Sequence, residues 1–99
     1  MYFIKLIQVP NQSFIINIDG DRYTFAIRTF RGVTFMSLYL ESELIIGGMR
    51  CIANEPIFPG GIAKKLKGNL RFHCLTQDMP HYTNFNESTC ALMYEPIKG

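Results

Sequence analysis

The sequence predicts an all-β fold, a small antiparallel β-barrel or sandwich of about seven short strands with hairpin connections. Three observations predict it. Apolar residues recur with a period of two, the alternating runs are rich in β-branched and aromatic residues, and Gly, Pro or Asn separates most of the runs. The chain has 99 residues, which suffices for one domain and not for two. We therefore expect residues 1–99 to form a single domain.

The strand pattern recurs along the chain. The stretches that show it are residues 2–8, 13–19, 22–30, 33–40, 44–52, 69–75 and 89–94. Gly20 lies between the second and third stretches and is typical of a tight hairpin, because the mirror-image turns of hairpins need positive φ. In the third stretch Tyr23, Phe25 and Ile27 share one face, while charged and hydroxyl residues occupy the other. This alternation predicts a strand with one face in the core.

The fourth and fifth stretches deviate from simple alternation. Residues 33–40 are apolar on both faces apart from Thr34 and Ser37, which favours a central strand or one that a partner covers. Gly47-Gly48 interrupts the fifth stretch and indicates a β-bulge or a sharp bend in that strand.

Longer connections follow in the second half of the chain. Residues 53–61 contain two prolines and two glycines, which prevent regular strand pairing over most of this segment. Residues 62–67 fit a short turn of helix or another edge strand. Residues 76–88 are polar and contain turn-forming residues, so we expect a long loop there.

Composition narrows the classes of function. Charged residues make up 18% of the chain, against about 25% in an average soluble domain, so we expect partners to cover part of the surface. The net charge of +2 comes with only one short basic cluster, so no nucleic acid is expected as a partner. No apolar stretch approaches the roughly 18 residues of a membrane span, so no membrane partner is expected either. The three cysteines are widely spaced, and we expect synthesis in a reducing host cytoplasm with free thiols.

No catalytic site is evident in the sequence. The one conceivable metal set combines His73, Cys74, His81, Cys90 and Cys51. His73 and Cys74 are adjacent on a strand and point to opposite faces, and no pair has the close spacing of zinc ligands. Pairing Cys74 or Cys90 with His81 lacks a local feature that would activate a thiol. We expect no metal, no cofactor and no enzymatic activity, with a small metal- or thiol-dependent enzyme as the less favoured alternative.

A small β-barrel nucleic-acid-binding module is the main alternative. Aromatic residues make up 13% of the chain and interleave with Arg22, Arg28 and Arg31, as in a stacking platform for single-stranded nucleic acid. However, Tyr23 and Phe25 alternate with the arginines and therefore lie on the opposite face of the strand. We interpret these two aromatic residues as core, and the same enrichment in aromatic residues and Arg fits a protein interface.

One set of motifs spans nearly the whole chain. The most specific is Pro10-Asn11-Gln12, which precedes an alternating strand and the hairpin residues Gly20-Asp21. The further segments are residues 22–28, 33–40, 44–50, 68–72 and 91–94. In order and spacing, these segments resemble the small plug proteins of contractile-tailed phage baseplates, of the cyanophage type of myovirus. The loops 53–67 and 76–88 depart from the family pattern.

The resemblance implies a structural virion protein of the tail baseplate, made in the host cytoplasm, that packs beside the central hub and spike and helps close the tail tube without catalysis. It implies other baseplate proteins as partners (hub, spike, tail tube and wedge) and several copies in the assembly. Exposed strand edges are expected to add strands to neighbours. From the low charge, the loop aromatics and this resemblance we expect six interface residues. They are Phe58, Lys64, Lys65, Lys67, Tyr82 and Phe85.

Overall fold

Strands dominate the fold. The computed structural model describes residues 2–75, 79–85 and 89–96. In chain order the elements are β1 (Tyr2–Ile4), β2 (Asn11–Ile18), β3 (Asp21–Phe30), β4 (Val33–Leu40), β5 (Glu43–Arg50), α1 (Gly60–Leu66), β6 (Gly68–Cys74), a 3-10 helix (Tyr82–Asn84) and β7 (Cys90–Pro96). Over the described residues the strands form two antiparallel sheets that share one core, and no closed barrel. The sandwich alternative of the prediction is therefore confirmed.

The larger sheet is a meander, and the smaller sheet joins the two ends of the described chain. Strands β2, β3, β4 and β5 pair in sequence order, whereas β7 lies between β1 and β6. Leu92 of β7 is opposite Ile4 on one side and Phe72 on the other. In the β2–β3 hairpin Asp19 and Gly20 have φ values of 52° and 84°, as the predicted mirror-image turn requires.

The first strand is shorter than predicted, because the side chain of Gln12 holds the chain in a loop after Ile4. The Gln12 amide nitrogen donates to the carbonyl oxygens of Ile7 and Val9 at 2.7 and 3.1 Å, and its Oε1 accepts from the Ile7 N–H at 3.1 Å. These bonds satisfy backbone groups that would otherwise pair in a strand. The motif Pro10-Asn11-Gln12 therefore has a structural role at the start of β2.

The core lies between the two sheets and contains the residues that the alternation predicts. In β3, Tyr23, Phe25 and Ile27 are buried, and in β6, Leu70 and Phe72 are buried. No helix of the described residues is long and apolar enough to cross a membrane.

Strand β4 is internal in its sheet, as predicted, but only one of its faces is buried within this chain. Met36 and Leu38 are fully buried, whereas Phe35 and Tyr39 are partly exposed on the outer face. The apolar pattern on both faces thus leaves a partly exposed aromatic surface outside the core.

The segment between β5 and β6 is a short helix that follows an ordered loop. Of the two alternatives for residues 62–67, the helix is correct, because α1 ends at Leu66 and Lys67 takes the left-handed conformation. Before α1, the N–H of Asn54 donates to the Phe72 carbonyl at 2.8 Å and the N–H of Ile57 to the Leu70 carbonyl at 2.9 Å. This loop therefore covers the outer edge of β6.

Two of the three cysteines, which we expect to be free thiols at synthesis, are paired in the folded chain. Cys74 and Cys90 are directly opposite in the β6–β7 ladder, with 4.2 Å between their Cα atoms, and they form a disulfide. The pairing results from the register of two strands that lie apart in the sequence, which cysteine spacing does not specify. Cys51 is buried and free.

Candidate interaction surface

The outer face of the four-stranded sheet is built from three rows of side chains that cross the strands. Strand pairing and the alternation of side chains fix these rows. The first row contains Asn11, Arg28, Phe35 and Arg50. The second row contains Ser13, Ala26, Ser37 and Gly48, and the third row contains Ile15, Thr24, Tyr39 and Leu44. Because the side chains of the second row are small, the face carries a depression between the larger side chains of the other two rows. We call this depression the outer-face groove.

The outer-face groove contains two cavities that follow one another along β3 and β4. The larger has a volume of about 450 Å³, and its lining includes Arg28 and Phe35 at one end and Tyr39 at the other. The second, of about 300 Å³, begins at the same Tyr39 and extends to Arg22 and Glu41. The shared tyrosine makes the two cavities one continuous surface.

One end of this face is cationic, and none of the described carboxylates neutralises it. Arg28 and Arg31 place their guanidinium carbons 5.8 and 5.3 Å from the ring centroid of Phe30, which is 53% exposed. Arg50 lies opposite Phe35 on the neighbouring strand. Among the described residues, no carboxylate oxygen lies within 4.0 Å of any of these three guanidinium groups. This end therefore combines exposed aromatic rings with arginines that no described carboxylate neutralises.

The other end of the face carries charges of both signs. Glu41 follows β4, its Oε1 accepts a hydrogen bond from the backbone N–H of Arg22 at 3.2 Å, and both residues line the second cavity. Arginines without a described carboxylate partner are therefore concentrated at the Arg28 end of the face.

Strand β2 provides a second candidate surface, because no described strand pairs with its outer edge. Thr29 donates its N–H to the Pro10 carbonyl at 2.8 Å, so the backbone groups of alternate β2 residues point away from β3. These residues are Asn11, Ser13, Ile15 and Asn17. The strand has eight residues, pairs with β3 without a bulge, and contains neither a charged residue nor a proline. Natural edge strands usually carry a bulge, a charged residue or a proline, because these features prevent unwanted pairing.

The remaining sheet edges are shorter, irregular or covered. Strand β1 has three residues, and the β4–β5 pairing shows register shifts that make β5 irregular. Along β6, the Asn54 side chain both donates to and accepts from the Cys74 backbone, and Asn69 does the same with Phe58. Among the described strands, β2 therefore has the longest regular open edge.

Two of the six expected interface residues are core residues, which corrects the sequence interpretation. Phe58 and Phe85 are only 3% and 2% exposed. The Phe58 ring packs against Phe25 with 6.0 Å between centroids, and Phe85 stacks on Phe72 at 5.3 Å. Both residues turn from a loop into the sandwich. The burial of a whole aromatic ring stabilises the core. In this conformation neither ring is available to a partner.

The other four expected residues lie at the surface, although two of them also have partners in the chain. Lys64 and Lys65 are exposed in the last turn of α1, where cations interact favourably with the helix dipole. Lys67 forms an ion pair with Asp19 of the β2–β3 hairpin. Tyr82 is partly buried against the core and stacks on His81 at 4.7 Å. Their role as interface residues stays a prediction.

The residues of the conceivable metal set do not converge. His73 Nε2 pairs with Glu95 Oε2 at 2.9 Å on the sheet surface, while Cys74 points inward to its disulfide, so the predicted opposite orientation is confirmed. Among the described residues, no three His, Cys, Asp or Glu side chains lie together as metal ligands would. Burial raises the pKa of the Cys51 thiol to about 12, which keeps it protonated and weakly nucleophilic near neutral pH.

Sequence reasoning missed the aromatic residues on the arginine face, although a local signal was present. A two-residue turn at Arg31-Gly32 pairs Phe30 with Val33, and counting back from that pair places Phe35 opposite Arg28. Tyr23 and Phe25, the aromatic residues that the alternation of β3 emphasises, face the core. Phe35 becomes evident as a neighbour of Arg28 only from the pairing of β3 with β4.

Comparison with known proteins gives one family. A family model described as cyanophage baseplate Pam3 plug gp18 matches residues 1–97. A separate search of curated proteins gave no match.

Proposed function

The chain belongs to the family of the cyanophage baseplate plug, and from this premise we propose that it packs against the central hub and spike and helps close the tail tube by protein–protein contacts, without catalysis. The family implies a structural protein of the virion tail that associates with other baseplate proteins. Synthesis in the host cytoplasm, several copies per assembly and the absence of nucleic acid from its partners are parts of the same proposal.

The family match carries this proposal, because it extends over residues 1–97 of a 99-residue chain. The fold supports it, since the described residues build a sandwich with an open strand edge and a partly exposed aromatic face. An adhesive subunit needs both a rigid core and surfaces that another protein can cover.

We further propose that the β2 edge adds a strand from a neighbouring baseplate protein. The outward N–H and C=O groups between Asn11 and Asn17 can form a ladder of main-chain hydrogen bonds with an extended segment. Ile15 is exposed in the middle of this edge and would pack against a side chain of the added strand. Lys64, Lys65 and Tyr82 would add contacts at the loops.

The experiment is co-expression with the neighbouring tail genes followed by size-exclusion chromatography of the captured complex. Co-elution with hub or spike proteins is the expected result. A well-behaved monomer that ignores these proteins would contradict the proposed function.

A proline variant tests the strand edge within the same experiment. Ile15→Pro removes an outward N–H, whereas the matched control Ile15→Thr removes the same apolar side chain and keeps the N–H. We expect Ile15→Pro to lose the complex and Ile15→Thr to retain most of it. Equal retention by the two variants would exclude β2 from strand addition, provided that circular dichroism shows both to be folded.

A further inference from the structure

We propose that the outer-face groove binds an acidic, extended segment of a partner protein, with the carboxylates of that segment over Arg28 and Arg50. This inference rests on the proposed function, since it names the chemistry of a partner for one face of the plug. It concerns a surface other than the β2 edge and the loop lysines.

Charge complementarity identifies the occupant. Arg28 and Arg50 lie on either side of Phe35 in one cross-strand row, and no described carboxylate neutralises them. The arginine of the neighbouring sheet is different, because Arg71 Nε donates to Glu95 Oε1 at 3.0 Å. Arginine donors are suited to planar bidentate recognition of carboxylates. Two arginines without a carboxylate partner among the described residues therefore favour an acidic group from another molecule.

The shape of the groove fits a single extended segment. Ala26, Ser37 and Gly48 line its middle, so another backbone can approach the sheet closely. Phe35 and Tyr39 line the same cavity as half-buried aromatic residues, the type that often anchors protein contacts. From Arg28 to Arg22 the groove extends about 20 Å along β3, which is the length of roughly six extended residues.

The far end of the groove favours a protein segment over a nucleic acid. A single strand of nucleic acid that followed the groove would bring phosphates from Arg28 and Arg50 toward Glu41, which lies beside Arg22. Single-strand binders instead present a positive groove along the whole path of the backbone. A peptide can carry carboxylates at one end and neutral or basic residues at the other, and it therefore matches both ends of this face.

The experiment is a titration of the isotope-labelled full chain, followed by amide NMR signals. The probe is a synthetic peptide of about eight residues with glutamates in one half and threonines in the other, long enough to span the groove. The same peptide with lysine in place of glutamate and an oligothymidylate of similar length serve as comparisons. The variants are Arg28→Glu and Arg50→Glu, with Lys65→Glu on α1 as the matched control for charge reversal.

The expected result is a saturable shift of the Arg28, Phe35 and Ser37 amides with the acidic peptide. Each groove variant should weaken binding by roughly tenfold or more, because a close opposite charge becomes a like charge, and Lys65→Glu should leave it unchanged. No shift at millimolar peptide, or equal shifts with the acidic and basic peptides, would overturn the proposal. Binding of the oligothymidylate without the acidic peptide would replace it with nucleic-acid binding.

The co-elution experiment separates this proposal from the function on which it rests. If the wild-type chain co-elutes with hub or spike proteins but the acidic peptide does not bind, the groove assignment is wrong and the baseplate function stands. If the peptide binds the groove but the chain ignores every tail protein, the proposed packing against hub and spike is wrong instead.

Discussion

The two sheets differ in how their outward groups are satisfied. In the three-stranded sheet, Glu95 pairs with both Arg71 and His73, and a loop beginning at Asn54 covers the β6 edge. In the four-stranded sheet, Arg28 and Arg50 have no described counter-charge, and no described strand pairs with the outer edge of β2. Among the described residues, the first sheet thus pairs more of its charged and backbone groups within the chain than the second does. This difference predicts stability effects on one side and binding effects on the other.

The largest expected effect comes from breaking the disulfide of the three-stranded sheet. Cys74 and Cys90 are separated by 16 positions, and a cross-link that closes a loop of this size stabilises by about 3 kcal/mol. We expect a reducing agent to lower the free energy of unfolding of the wild type by about that amount, as measured by urea denaturation. The double variant Cys74→Ala/Cys90→Ala is the control. A reductant effect of the same size in this variant would show that the loss has another origin.

The next largest effect is expected at Gly68, where β6 begins. A Cβ atom at this position would lie 2.6 Å from the Glu95 carbonyl oxygen and 2.8 Å from the Tyr94 ring, so the backbone of β7 would have to move. We expect Gly68→Ala to lower the free energy of unfolding by about 2 kcal/mol. Gly61→Ala in α1 is the matched control, because nothing lies within 4 Å of its added Cβ. Equal stability of the two variants would show that β7 accommodates a methyl group at Gly68 without cost.

The smallest expected effect on the free energy of unfolding comes from replacing one arginine in each sheet. Replacing Arg71 by methionine removes the bond to the partly buried Glu95, and we expect a loss of about 1 kcal/mol in the free energy of unfolding. Arg50→Met removes an exposed guanidinium without a described partner and should change stability by less than about 0.5 kcal/mol. Chemical denaturation of both variants measures the difference. An equal loss would remove the contrast between the two sheets.

Much of the architecture could be predicted because its signals are local. The run from Arg22 to Phe30 alternates, and Gly20 marks the turn before it, so a strand and a hairpin follow from neighbouring residues alone. The groove was only partly predictable. Arg28 was noted in the sequence, but Arg50 was not, and its place beside Phe35 required the register between β4 and β5.

The misassigned residues share one physical cause. Phe58 and Phe85 lie in segments whose composition indicates loops, and an exposed aromatic loop residue is a reasonable interface candidate. Both rings turn into the core, where Phe58 packs at a tilt against Phe25 and Phe85 stacks on Phe72. A loop composition reveals that regular pairing ends, but it does not reveal which way a side chain then points.

The sequence by itself determined most of the strands, the tight hairpins and, for alternating strands such as β3, the side that faces the core, because turn chemistry and a period of two act over a few neighbouring residues. Only the tertiary structure decided that β1 pairs with β7 and that Cys74 lies opposite Cys90. It also decided which strand edges have no described pairing strand and which arginines have no described carboxylate partner. These features depend on segments that are distant in the sequence, and they are fixed by the packing of the two sheets around one core.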